Sequence, residues 1–536
     1  MGANNSNCKC IYLPAQSGKT KKVEDLITEY KQFTKFEEFA DCDIFISANN
    51  RVLVAQTATR MKDDLGTKDE KNDECIINGS IFCWMSGTKK SKISSSEIEN
   101  QILKDKMEMI MVCAHKARLD NYLKKLLDGL EESNTLNLKK VKINIWIDEA
   151  DKSINLWSKY ENKIFDYKIV NKVTLITATL NSILKRYKTV NILPFEEPYP
   201  DCYRGLKDMN KIEINYASGS VEYVKHIINT NRNKLTKPGM RAFIPGEMKK
   251  KSHDEIADFL SENGFIVIVI NGERKEILVP DGNKIDLKCY LTIDDDQIPK
   301  ELNYELSRLY KENNWKRYPL AITGYYCVSR GVTFQCRPDC EKNIHDGFLF
   351  DYAIIPPISS KAEAYQTMAR VLGNIGDIEG YKPVDIYSTT KLFHNVEELE
   401  YTAMTIAAKA KEENRECFSI EEIKEIGKEI HKDNIRVKEN NKKNKKYDQD
   451  DKDHKLFDTQ EDAIVFGRVL GYGLRRHSTN KAPQTLLQNG NNPSVDYLLS
   501  RRFYGINEEA RVRMCPTDMN KWCVYWRPSI IESHNK

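Results

Sequence analysis

Two short stretches, far apart in the chain, combine residue types that handle phosphate. The first is LPAQSGKT, Leu13 to Thr20, set between an apolar run that starts at Cys8 and the helical pattern KKVEDLITEY. Successive backbone N–H groups in such a turn, with a helix N-terminus behind them, can hold phosphate oxygens. Gln16, Ser17 and Gly18 would form that cradle, Lys19 would reach the outer phosphates, and the Thr20 hydroxyl would ligate Mg2+. A Gly-Lys-Thr alone says little, and Leu13 stands where the pattern asks for its first glycine. The second stretch is KINIWIDEAD, an apolar run that ends in acidic residues. At such a strand end Asp148 is placed to hold Mg2+, directly or through water, and Glu149 to polarise an attacking water. An isolated Asp-Glu pair would read as a solvated turn. The two stretches together read as one nucleotide-phosphate site with Mg2+.

Both stretches need a scaffold, and the chain supplies one. From Cys8 to about Val190, short apolar runs alternate with longer amphipathic ones: CKCIYL, FISANNRVLVA, SIFCWM, MEMIMVCA, KINIWI and KVTLIT. Runs of this length, rich in Ile and Val and followed by helical segments, read as parallel strands buried on both faces of a doubly wound α/β domain. A Pro-rich connector follows, and then a second α/β block with strands at MRAFIP, FIVIVING, PLAITGYYCV, DYAIIPP and PVDIYS. A polar insertion lies between Glu273 and Lys316. The expected organisation is a first domain over 1–191, a connector over 192–210, and a second domain over 211–395. A helical extension over 396–431, a charged linker over 432–456 and a small α+β domain over 457–536 complete it.

Composition narrows the class. The 536 residues carry 83 basic and 79 acidic side chains, a net charge of +4, so affinity for DNA or RNA must come from local basic surfaces. The 14 cysteines include no C-x-x-C pair, and the nearest approach to a metal cluster, Cys336, Cys340 and His345, fits no common spacing. They read as reduced thiols of an intracellular protein. No apolar run approaches the roughly 18 residues of a membrane span, and no signal peptide is apparent. Gly2 and Ser6 fit the N-myristoylation pattern, with Cys8 and Cys10 as acceptors for a second acyl chain. Against that, Cys8 to Leu13 reads as a strand needed inside the first domain.

SGKT, IDEAD and Thr177-Ala178-Thr179, in that order, resemble motifs I, II and III of superfamily 2 helicases, the DEAD-like nucleic-acid-dependent ATPases. CVSRGVTF (Cys327 to Phe334) resembles motif V, and YQTMARVLG (Tyr365 to Gly373) resembles motif VI. The resemblance spans about Cys8 to Ser388. It implies two tandem RecA-like domains that close around one ATP. Lys19, Thr20, Asp148 and Glu149 would come from the first domain, and Gln366 and Arg370, the candidate arginine finger, from the second. It also implies that Gly331 sits near nucleotide or strand backbone, and that Thr177, Ala178 and Thr179 couple hydrolysis to domain movement. SANNRVLVAQTATR matches the motif Ia region, so Asn49, Asn50 and Arg51 would contact a bound strand; an ordinary strand-to-helix turn is the other reading. CAHKARLDNYLKKLL stands where motif Ib is expected.

Several positions depart from the family pattern. About a dozen residues precede the loop, too few for the upstream glutamine motif of DEAD-box proteins. In motif VI, Ala369 replaces the glycine and Gly373 the second arginine, and motif V lacks its aspartate. In the tail, Arg alternates with aromatics, and Arg475, Arg476, Arg501 and Arg502 are candidates for contact with nucleic acid, unless the aromatics simply form a small core. The function expected is an ATP-dependent helicase or translocase on DNA or RNA. The alternatives are an ATP-gated clamp, or a helicase-like subunit that reaches protein partners through the C-terminal domain. The Lys-, Asn- and Ile-rich composition and the irregular motifs point to a large DNA virus or phage-like element as the source.

Overall fold

The computed structural model describes residues 8–34, 39–48, 51–65, 81–84, 94–136, 140–216, 218–287, 302–325, 328, 333–339 and 347–429, and in the tail 453–459, 462, 511–514 and 522–526. The chain divides into two compact units, Met1–His431 and Lys432–Lys536.

Among the described residues the first unit contains two large sheets and two small two-stranded ones. In the first lobe, β1 (Cys8–Tyr12), β2 (Ala40–Ser47), β3 (Ile81–Trp84), β4 (Met109–Cys113), β5 (Val141–Ile147) and β6 (Val170–Thr177) form one sheet. Its order is β1-β6-β5-β2-β4-β3, and every neighbouring pair is parallel. Alternation along each strand feeds two cores. Ile44, Ile46, Ile110, Val112, Ile145 and Ile147 enter one. Phe45, Met109, Met111, Trp146 and Ile176 enter the other, beneath helices α1 (Lys19–Thr34) and α2 (Arg51–Leu65). The RVLVA of the expected apolar run thus opens α2 instead of extending a strand.

The large sheet of the second lobe has eight described strands. Six of them, Ile266–Ile270, Leu320–Gly324, Arg241–Phe243, Tyr352–Ile354, Asp385–Ser388 and Asn210–Glu213, are parallel in that spatial order. The polar insertion after Glu273 supplies an antiparallel hairpin, Lys275–Leu278 and Lys284–Asp286, on one edge, and the helix Leu302–Glu312. Two doubly wound parallel sheets are therefore present, as the apolar runs required.

One helix, Thr390–Glu412, runs through residue 396, where the extension was expected to begin. Its first half joins the core of the second lobe through Leu392, Phe393, Val396 and Leu399. Its second half joins the first lobe through Ala403, Ile406 and Ala410. Beyond it, the strand Cys417–Ser419 pairs antiparallel with Thr189–Asn191. That second strand flanks β1, with Leu193 N–H donating to the Cys10 carbonyl at 2.9 Å. In the separate tail unit, Asp453–Phe457, Arg511–Met514 and Trp522–Trp526 form an antiparallel sheet with Trp522–Trp526 in the middle.

Candidate nucleotide-binding site

In a parallel sheet the loops after the strands all leave from one edge, which is where ligands collect in α/β folds. The loop after β1 is LPAQSGKT. Leu13, at the position of the missing glycine, is 1% exposed and packs with Ile11, Val23 and Ile27. It anchors the start of the loop in the core, and the phosphate cradle begins only after Pro14. The Pro14 carbonyl accepts from the Ser17 hydroxyl at 2.7 Å and from the Lys19 ammonium at 2.9 Å. Gly18 takes φ +91°, a conformation suited to glycine, and α1 starts immediately after it.

At the end of β5, the Asp148 carboxylate accepts from the Glu149 N–H at 2.9 Å. Glu149 has φ 48° and precedes the helix Ala150–Trp157. The left-handed turn directs the chain sharply from strand to helix and leaves both carboxylates beside the loop. A cleft of about 830 Å3, partly open to solvent, is lined by Gln16, Gly18, Lys19, Thr20, Asp148 and Glu149 of the first lobe and by Thr333, Gln366 and Arg370 of the second. Burial lowers the Lys19 pKa to about 8 against the opposing pull of Glu149 and Asp148. Burial, with Glu149 beside it, raises Asp148 to about 7. The lysine and the acids thus share one poorly solvated space. A hydroxyl and a carboxylate on one cleft are the hard oxygen donors a Mg2+ ion takes, and Thr20 and Asp148 fit that ion by donor type.

The after-β6 segment lies at the same edge. The Thr177 hydroxyl accepts from Thr179 N–H at 3.0 Å and lies 3.4 Å from a carboxylate oxygen of Asp151, on the helix that follows Glu149. Thr177 and Thr179 are buried, and Ala178 packs with Ala15 into the core cluster of the second lobe. Lys152 pairs with Glu363 of the second lobe at 3.0 Å.

From the second lobe, the helix Lys361–Met368 carries Gln366, which is 2% exposed, and the short 3-10 turn after it carries Arg370. Three contacts from this region to the phosphate loop escaped sequence reasoning. Tyr365 accepts from the Ala15 N–H at 2.8 Å, the Arg370 guanidinium meets the Gln16 side chain, and the backbone at Gly373 lies against Gln16. Behind them Tyr203 donates to the buried Glu400 carboxylate at 2.8 Å. Glu24, Arg60 and Asp64 also line the cleft unanticipated. Of these only Glu24 had a signal, its position one turn after Thr20 on the same helix.

Among the remaining candidates, Arg51 is the first residue of α2. Asn49, Asn50, Gly331, Arg475, Arg476, Arg501 and Arg502 lie outside the described residues, as do Cys340 and His345. Among the described residues no group of three His, Cys, Asp or Glu is arranged to hold a metal ion, and no helix is long and apolar enough to cross a membrane. In the tail sheet the backbone register pairs residue 454 with 525 and 456 with 523 on one side, and 511 with 525 and 513 with 523 on the other.

No protein-family profile and no curated protein matches the chain. Solved structures do. Dbp5 of S. cerevisiae, bound to RNA and ADP-BeF3, is 14% identical with a TM-score of 0.39 over 74% of this chain and 83% of that one. Mss116p, bound to single-stranded RNA and AMP-PNP, is 14% identical with a TM-score of 0.41 over 74% of this chain and 69% of that one. A DEAD-box protein from the hyperthermophile Methanococcus jannaschii is 16% identical with a TM-score of 0.34 over 74% and 86%. The expected viral source finds no support among these. The solved structures to which this chain is similar include DEAD-box proteins and a helicase domain from Pyrococcus furiosus, and at these identities the likeness is one of fold.

Proposed function

We propose that this protein is a nucleic-acid-dependent ATPase of the helicase type, hydrolysing ATP at the cleft between its two lobes. The observation that carries the reading is convergence. Lys19, Thr20, Asp148 and Glu149 from one sheet edge and Gln366 and Arg370 from another lobe line one cleft, though up to 350 residues separate contacting groups. An ion pair or solvated turn would need none of the others.

The chemistry follows from positions. On binding ATP, Lys19 exchanges its Pro14 carbonyl for phosphate oxygens, and the N–H groups around Gly18 close on the same phosphates. Thr20 and Asp148 would hold Mg2+, which supplies charge neutralisation between the phosphates when bound. Glu149 orients the attacking water and takes its proton. Arg370 neutralises charge that develops on the transferred phosphoryl group, a contribution of roughly 10³–10⁵ in rate for groups of this kind. Thr177, through Asp151, ties the helix after Glu149 to the segment that packs on the second lobe, so a change at the phosphates alters the lobe contact. Arg51, with Asn49 and Asn50, would meet a nucleic-acid strand after β2, and Arg475, Arg476, Arg501 and Arg502 are separate candidates for contact with nucleic acid in the tail.

Steady-state ATP hydrolysis with a panel of single- and double-stranded DNA and RNA tests the reading. Stimulation by one of them is expected, with turnover lost in Lys19→Ala and Glu149→Gln. Equal hydrolysis with and without every nucleic acid would sink it. A second reading, an ATP-gated clamp with little unwinding, is favoured by the helix Thr390–Glu412, which is embedded in both lobes. ATP-dependent strand binding without strand displacement would support the clamp over the motor.

A further inference from the structure

Gln16 holds a backbone conformation that suits glycine. Its φ is +60°, in the left-handed region that residues with a Cβ seldom occupy. Strain of this kind persists where the surroundings enforce it, and at a ligand site it directs attention to the side chain retained there. With the amide assigned so that its oxygen faces the donors, Gln16 accepts from both terminal nitrogens of Arg370, at 2.6 and 3.1 Å. Arg370 is 4% exposed, and its Nε donates to the Gln366 carbonyl at 3.2 Å. Its own carbonyl accepts from Gln335 at 3.4 Å. The arginine is therefore fixed at its backbone and at Nε, and Gln16 takes the end that faces the phosphate loop.

Gly373 completes the arrangement. It has φ +116°, and a Cβ there would lie 2.7 Å from the Gln16 Cβ and 2.9 Å from the Gln16 carbonyl oxygen. No side chain fits at 373 while Gln16 is in place, so this position, where the family pattern has its second arginine, cannot supply a cation to the cleft.

We propose that Gln16 is a positioning residue for Arg370: its neutral amide aims the guanidinium at the phosphate loop and yields it to the oxygens of a bound nucleoside triphosphate. A carboxylate at 16 would form a charge-assisted pair that competes with the phosphates and repels them. A residue without an acceptor would remove this contact from the terminal nitrogens. The proposal rests on the reading of the cleft as a triphosphatase site.

The test is Gln16→Gly in the full-length protein, measured by thermal melting and by steady-state ATP hydrolysis. Glycine relieves the left-handed strain, so the melting temperature should be equal to or above that of the wild type. Loss of the aiming group should nevertheless lower kcat roughly tenfold or more, with KM changed by less than about threefold. On an Arg370→Ala background, Gln16→Gly should cost nothing further, because the two act as one unit. Gln16→Met, which keeps the bulk without the acceptor, should repeat the kcat loss. Full kcat in either variant, or a loss that multiplies with that of Arg370→Ala, overturns the proposal and leaves the ATPase reading intact. Absence of hydrolysis by the wild type defeats that reading, and this proposal with it.

Discussion

At the residue scale, the cleft keeps Lys19, Glu24 and Asp148 largely from water. Glu24 shows this away from the phosphate loop. It is 2% exposed on the face of α1 that meets α2, and burial, with the Asp64 carboxylate adding to it, raises its pKa to about 8. The sign of the effect on stability is fixed by linkage. Between the ordinary carboxyl value of 4.5 and about 8 the folded chain keeps this proton while the unfolded chain has released it. Stability therefore falls as pH rises across that interval, by an amount on the order of a few kcal/mol for a group so placed. Glu24→Gln removes the titration and keeps the shape. Its melting temperature should match the wild type near pH 5 and exceed it near pH 8. Parallel melting curves for the two proteins across that range would show that Glu24 is ionised throughout. Lys19 and Asp148 respond to the same poor solvation, so burial alone does not mark the catalytic groups; their place on the loop and at the strand end does.

At the element scale, the outer edge of β1 would be the weak point of the first sheet if left bare, because an uncovered parallel edge offers free N–H and C=O groups. The chain covers it with a segment that arrives from far away: Thr189–Asn191 lies along β1, and Cys417–Ser419 pairs with Thr189–Asn191. Phe418 is fully buried in the first core, so Phe418→Ala should cost about 3–5 kcal/mol in denaturant unfolding. Removal of the partly exposed Lys9–Glu416 pair beside it should cost at most about 1 kcal/mol. If Phe418→Ala were as mild as the ion-pair change, the edge cover would not be part of the folded core.

This contrast also marks what the sequence could tell. The strands of both sheets were legible because strands buried on both faces must be apolar throughout. Asn210–Glu213 was not, since three of its four residues are polar and it lies at an edge. The hairpin after Glu273 was hidden for the same reason. The loop and acidic residues of the site were legible because each belongs to a local strand-to-helix pattern. Tyr365 against Ala15, Arg370 against Gln16 and Phe418 against the first core are pairings between distant segments, and no local periodicity encodes a partner.

At the scale of the whole first unit, the helix Thr390–Glu412 decides how independent the two lobes are. A hinge of two flexible strands would let each lobe melt separately. Here a single continuous helix is part of both hydrophobic cores. Midway along it, Glu400, 5% exposed, accepts from Tyr203 Oη and from Leu206 N–H, both at 2.8 Å. Hydrogen bonding compensates the burial of that carboxyl and pins the middle of the helix to the connector. Melting the half of the helix in one core strips packing from the half in the other, so the two lobes should unfold in one cooperative transition. Ile406 is fully buried on the first-lobe half. Ile406→Ala should remove about 2–5 kcal/mol and lower a single calorimetric transition as a whole. Val396→Ala, on the second-lobe half and equally buried, should lower the same transition. Two resolved transitions, with Ile406→Ala moving one and Val396→Ala the other, would show that the helix joins the lobes without coupling them. A coupled result would mean that closure around a nucleotide is a tilt of two lobes about a shared rigid axis, with Glu400 at its pivot.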